Sequence, residues 1–135
     1  MQEFQFLNYQ IKSPIAEIII NRPPINAFNI QLLDEILSAL ELAKNDKTIK
    51  AVLIKSNLEK IFCAGLDLDI LIDKPILKVR EFLERLYVKL WDIQYNMGKP
   101  TIAVVNGSAR GGGMTLAISC DVILASEDAS FGYPE

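Results

Sequence analysis

Short runs of β-branched and aromatic residues alternate along the chain with stretches whose apolar residues recur at helical spacing, and this alternation limits the possible folds more than any other feature. The runs from Phe4 to Ile11 and from Ile15 to Ile20 meet at Ser13-Pro14 and predict a two-stranded hairpin, which Arg22-Pro23-Pro24 stops. Asn29 has the chemistry of a helix N-cap, and Leu32, Leu33, Ile36, Leu37 and Leu40 predict a helix running to about Lys44. Ala51 to Lys55 reads as a buried strand, Lys60 to Asp69 as a loop, and Ile76 to Met97 as a second, longer helix ended by Gly98-Lys99-Pro100. Thr101 to Val105 is another buried strand, followed by a loop from Asn106 to Gly113, a helix from Met114 to Cys120 and a strand from Val122 to Ala125. The default for such an order is an α/β fold with mostly parallel pairing, and the chain carries no internal repeat or linker.

With 135 residues, half of them apolar and 23% charged, the composition is that of one globular domain. The net charge of −3 supplies no overall field for nucleic acid or an anionic membrane, so neither is expected as a partner. The chain has no histidine, which excludes imidazole triads and histidine-containing zinc sites for a complete chain; no metal ligand set is expected. Its two cysteines, Cys63 and Cys120, read as reduced, buried thiols. The first ten residues lack a secretory pattern and no apolar run approaches a membrane span, so a cytoplasmic location is expected.

Two loops at the carboxyl ends of predicted strands have unusual composition: Cys63-Ala64-Gly65-Leu66, and Gly107 to Gly113 with its triplet Gly111-Gly112-Gly113. Glycines directly before a helix let the backbone approach a ligand closely and leave N–H groups unshielded at the positive end of the helix dipole, a site for an anion. The dinucleotide fingerprint fails because Leu116 stands where its last glycine belongs, and Gly-Lys-Ser/Thr is missing. The triplet serves equally well as a tight turn that packs helix against strand, and both readings stand at this level.

In combination the motifs are more specific. FCAGLDL from Phe62 to Leu68, KPTIAVVNG from Lys99 to Gly107, RGGGMTLAISCD from Arg110 to Asp121 and SFGYPE from Ser130 to Glu135 closely resemble the enoyl-CoA hydratase/isomerase, or crotonase, family in order and spacing. RPPINAFN from Arg22 to Asn29 resembles the family's N-terminal segment, and the resemblance covers essentially the whole chain. It implies an α/β fold, a crotonase-like spiral of ββα units lacking the C-terminal helical part. Residues 1–135 would form an acyl-CoA-binding core that is incomplete, because family subunits are longer and their C-terminal helices complete the acyl pocket and the trimer contacts.

The resemblance also implies roles. Family members stabilise the enolate of an acyl-CoA thioester with two backbone N–H groups, which fall on Leu66 and Gly112. Losing one such donor is worth about 3–4 kcal/mol of transition-state stabilisation. Adenine and pantetheine contacts fall around Ala27, Ala64, Asp67 and Leu68, and Gly111 and Thr115 join the substrate-binding set. Asp67 serves equally well as a turn or N-cap residue. Of the family's two acid/base carboxylates, one falls on Glu135, whose pKa a pocket would raise, and the other position is occupied by Thr115. A hydroxyl cannot act as a base near neutral pH, so the substitution favours enoyl-CoA isomerisation, which needs one carboxylate, over two-glutamate hydration. Hydration of a dienoyl ester with one carboxylate stays open. No cofactor beyond the CoA thioester substrate is implied, and the expected assembly of the intact protein is a homotrimer or hexamer. The alternatives are a non-catalytic acyl-CoA-binding or assembly fragment, and a phosphate- or nucleotide-binding α/β module.

Overall fold

A computed structural model describes residues 2–134; Glu135 lies outside the described residues. The predicted hairpin forms from β1 (Leu7–Lys12) and β2 (Ile15–Ile20), antiparallel with Leu7 opposite Ile20. Its first strand starts later than Phe4: Phe4 and Phe6 pack against the core from the preceding segment, where the Phe6 carbonyl accepts the Asn21 N–H at 2.8 Å. Helix α1 (Ile30–Asn45) begins at Asn29, whose side-chain oxygen accepts the Leu32 N–H at 2.8 Å and satisfies one of the donors a helix start leaves open. Leu32, Leu33, Ile36, Leu37, Leu40 and Ala43 form its buried face.

Strand β3 (Ala51–Ser56) pairs parallel with β2, and β5 (Thr101–Val105) and β7 (Val122–Ala125) extend the same sheet in the order β1-β2-β3-β5-β7. The inward rows Ala16-Ile18-Ile20, Val52-Ile54 and Ala103-Val105 pack with α1 into one core. Between Ile76 and Tyr95 runs the second helical stretch: α2 (Ile76–Glu84), a π turn at Arg85–Lys89, and α3 (Leu90–Tyr95). Its core residues Phe82, Leu86 and Leu90 recur every four positions, a longer period than 3.6, and the wider π turn absorbs the excess. These positions are core, as expected from their spacing.

The two segments predicted as loops each contain a strand. β4 (Ile61–Ala64) and β6 (Ser108–Arg110) pair in parallel, and β8 (Ser130–Gly132), which the sequence did not suggest, joins them in a second sheet ordered β4-β6-β8. Helix α4 (Gly112–Ser119) follows β6. The chain therefore visits the large sheet, then the small sheet, then a helix, and repeats: β3-β4-α2, β5-β6-α4, then β7-β8. This is a spiral of ββα units, as the resemblance implied.

Lys99 links the spiral's turns. Its ammonium donates to the Lys44 and Asp46 carbonyls at 3.1 and 2.6 Å and to that of Ala43, which would otherwise be unpaired at the negative end of α1. Lys99→Met is expected to cost about 2 kcal/mol, read as a lower urea midpoint with an unchanged slope. Among the described residues no helix is long and apolar enough to cross a membrane.

Candidate active site

β4 and β6 are neighbours running in the same direction, so the chain leaves both at the same end of the small sheet. The last paired residues are Ala64 and Arg110; beyond them Gly65-Leu66 and Gly111-Gly112 turn away from the ladder. Both turns need glycine at their first residue, because Gly65 has φ +97° and Gly111 has φ +49°. Glycine at 113 is required for a different reason, the close approach of α4 to β4, and at 112 it leaves room for two apolar side chains. A Cβ on Gly113 would lie 1.9 Å from the Cys63 carbonyl oxygen, and one on Gly112 would lie 2.9 Å from Leu66 Cδ2 and 3.0 Å from Phe28 Cδ2.

Those contacts place Gly112 beside Leu66. Leu66 forms a parallel bridge with Phe28, in which the Phe28 N–H donates to the Gly65 carbonyl at 2.9 Å and the Asp67 N–H to the Phe28 carbonyl at 2.8 Å. The bridge uses the peptide groups on either side of Leu66 and leaves the Leu66 N–H out. Among the described residues, neither this N–H nor that of Gly112, in the open first turn of α4, has a partner. An oxygen bearing negative charge is the acceptor such a pair suits, helped by the helix dipole.

Thr115 lies one turn further along α4 and is buried. Its hydroxyl lies 3.3 Å from the Gly111 carbonyl, to which it can donate, and 3.2 Å from the Tyr133 hydroxyl. With the Thr115 proton given to Gly111, the phenol is the donor between the two oxygens. Tyr133 is half-exposed, and only its place two residues before Glu135 in SFGYPE could have singled it out. Gly111 donates its own N–H to the Gly132 carbonyl at 2.9 Å, which ties the glycine turn to β8.

The other expected contact residues lie around the bridge. Ala64 donates to the Ile25 carbonyl at 3.0 Å, Ala27 is buried with its carbonyl accepting from Arg22, and Leu68 is exposed. Asp67 is held on both oxygens within the chain: Oδ2 accepts from Arg22 Nη2 at 2.7 Å, and Oδ1 caps the short 3₁₀ turn Leu68–Ile70 through the Asp69 N–H at 3.3 Å. The guanidinium hydrogen bond holds the Asp67 carboxyl below the usual aspartate range. A carboxyl whose folded pKa is depressed stabilises the fold above its unfolded pKa. That contribution is lost only as pH falls below about 3.9 and through the lowered value. A groove of about 810 Å³ opens beside Asp67, between Asn29, Ile30, Asp34 and Ile70, and does not reach Leu66, Gly112 or Thr115. The two thiols are buried, and burial pushes both up to about 12, so neither is a nucleophile near neutral pH.

Comparison with known proteins places this chain among relatives. A sequence model described as enoyl-CoA hydratase/isomerase matches residues 10–135. The chain is 38% identical over 122 residues to a crotonyl-CoA hydratase of Syntrophomonas wolfei, covering 90% of this chain and 46% of that protein. It is 39% identical over 119 residues to the 2,3-dehydroadipyl-CoA hydratase of Escherichia coli, covering 87% of this chain and 45% of that protein. The chain thus spans about half the length of the curated relatives it matches. Among solved structures, Pseudomonas aeruginosa DspI superposes on all of this chain with a TM-score of 0.92 at 28% identity, over 55% of its own length.

Proposed function

The chain belongs to the enoyl-CoA hydratase/isomerase family, and from that premise we propose that it carries the enolate-stabilising half of an acyl-CoA active site, with isomerisation of an enoyl-CoA as the reaction. The observation that carries the reading is the pair of N–H groups at Leu66 and Gly112, without a partner among the described residues and on segments that follow two adjacent parallel strands. The thioester oxygen accepts from both, and the negative charge that develops there when C2 loses a proton is held by fixed dipoles instead of by reorganising water. No cofactor enters this chemistry, since the CoA thioester is itself the substrate.

The acid/base assignment follows from what Thr115 can do. Its hydroxyl is buried and bonded within the chain, and no carboxylate stands at that position, which leaves Glu135 as the proton carrier. One carboxylate suffices to take a proton from C2 and return it at C4, or the reverse, so that the double bond moves and no atom is gained. Hydration is the second reading, favoured by the names of the relatives, and the Thr115 and Tyr133 hydroxyls supply groups that can hold a water. The intact protein is proposed to assemble as a homotrimer or hexamer, and two buried thiols suit a reducing compartment such as the cytoplasm.

The test is incubation of the chain with 3-enoyl-CoA and, separately, 2-enoyl-CoA in D2O. Deuterium at C2 and C4 with conversion between the two esters is the expected result. A 3-hydroxyacyl-CoA product would replace isomerisation by hydration. CoA-ester binding without exchange at either carbon would leave a non-catalytic acyl-CoA-binding role and overturn the enzymatic reading.

A further inference from the structure

We infer that Arg22 and Asp67 are positioning residues: their ion pair clamps the segment 22–28 onto the loop 64–67 and thereby aims the Leu66 N–H. Arg22 reaches both sides of the bridge with one rigid fork. Nη1 donates to the Ala27 carbonyl at 2.7 Å, next to Phe28, and Nη2 to Asp67 Oδ2 at 2.7 Å, next to Leu66. The bridge that orients Leu66 is thus enclosed between the two hydrogen bonds of a single guanidinium, and a planar bidentate donor fixes relative orientation where a single ammonium fixes only distance. The fork is itself held in place, because its carbon lies 5.3 Å from the centroid of the Phe6 ring.

The start of the segment is pinned independently. The Arg22 N–H donates to Asn26 Oδ1 at 2.7 Å, and Asn26, buried with φ +55°, donates through Nδ2 to Ser56 Oγ at 2.9 Å and to the Phe62 carbonyl at 3.0 Å. Residues 27–28 thus lie between the Asn26 anchor and the bridge, and the Arg22 fork adds a hold on the Ala27 carbonyl beside Phe28. Among the described residues the Leu66 N–H has no partner of its own to hold it, so its direction is inherited from its neighbours' bonds.

The inference rests on the oxyanion role proposed for Leu66, and the experiment separates the two. Backbone amide exchange is measured in the chain, in Arg22→Met, in Asp67→Asn and in the double variant. Turnover of the enoyl-CoA ester is followed in parallel. Exchange at the Phe28 and Asp67 amides is expected to rise about 10-fold in each single variant while Leu37 and Leu40 in α1 stay protected, and the double variant should be no worse than Arg22→Met alone. kcat is expected to fall about 10-fold with KM nearly unchanged, because a misdirected donor weakens the transition state more than ligand binding.

Unchanged exchange at Phe28 and Asp67, or additive effects in the double variant, would overturn the clamp. A rise in KM for Asp67→Asn with exchange unaltered would make Asp67 a ligand contact instead and overturn it likewise. Raised exchange in the variants of a chain that turns over no ester would support the clamp and sink the enzymatic reading.

Discussion

Gly113→Ala is expected to abolish cooperative folding or to lower stability by at least about 3 kcal/mol, the largest single-residue effect on the fold. The first turn of α4 lies directly on β4, and a methyl carbon at 113 would lie only 1.9 Å from the Cys63 carbonyl oxygen. No rotamer can relieve this, because the position of a Cβ is set by the backbone and the atoms it meets are backbone: either α4 must lift away or β4, which pairs with β6, must shift. Gly98 is the control, with no atom near its missing Cβ but with φ +71°, so alanine there should cost only about 1 kcal/mol of backbone strain. Urea unfolding followed by circular dichroism distinguishes the two, and equal losses at both positions would contradict the packing argument.

Glu135→Gln is expected to reduce exchange and turnover by about 10²–10⁴-fold while leaving CoA-ester affinity within about 2-fold. The amide keeps the size of the carboxylate and loses its basicity. A second base could hide the loss, but the position that would supply one holds Thr115, whose oxygen already lies within hydrogen-bonding distance of the Gly111 carbonyl and the Tyr133 hydroxyl. Dividing the pH profile of kcat between parent and variant isolates the carboxyl: the ascending limb belongs to Glu135 and should vanish with it. Retention of more than about a tenth of the parent rate would move the proton to another group.

The inner strands of the large sheet and helix α1 were legible because their residues are selected by burial, whereas β7, exposed throughout, shows only as an apolar run. Ile18, Val52, Ile54 and Ala103 in the strands announce period two, and Leu32, Ile36 and Leu40 on α1 announce period 3.6. The small sheet was not legible. Its strands Ile61–Ala64, Ser108–Arg110 and Ser130–Gly132 are three or four residues long and contain serine, arginine and glycine, so no alternation has room to show. What fixes them is register with one another across gaps of more than about 20 residues, which local pattern does not encode. The site divides in the same way. Three consecutive glycines before a helix signal exposed N–H groups at Gly112 from first principles, whereas Leu66 carries nothing in its side chain that reports its backbone, and only resemblance singles it out. In the sequence Arg22 reads as part of a strand stop; its pairing with Asp67, 45 positions away, follows from the fold alone.

The repeated passage from large sheet to small sheet to helix makes the molecule a short stack in which each turn touches chiefly the turns before and after it. In such a one-dimensional array, stability is a sum of intrinsic terms and nearest-neighbour couplings. The two candidate donors belong to successive turns, Leu66 to the one holding β3-β4 and Gly112 to the one holding β5-β6. The proposed anion site is thus a seam between adjacent rungs. Its proposed geometry depends on the coupling of those two turns to each other and on their ties to the segments on either side, residues 22–28 before β3 and β8 after α4, so a change in a neighbouring turn reaches the two N–H groups.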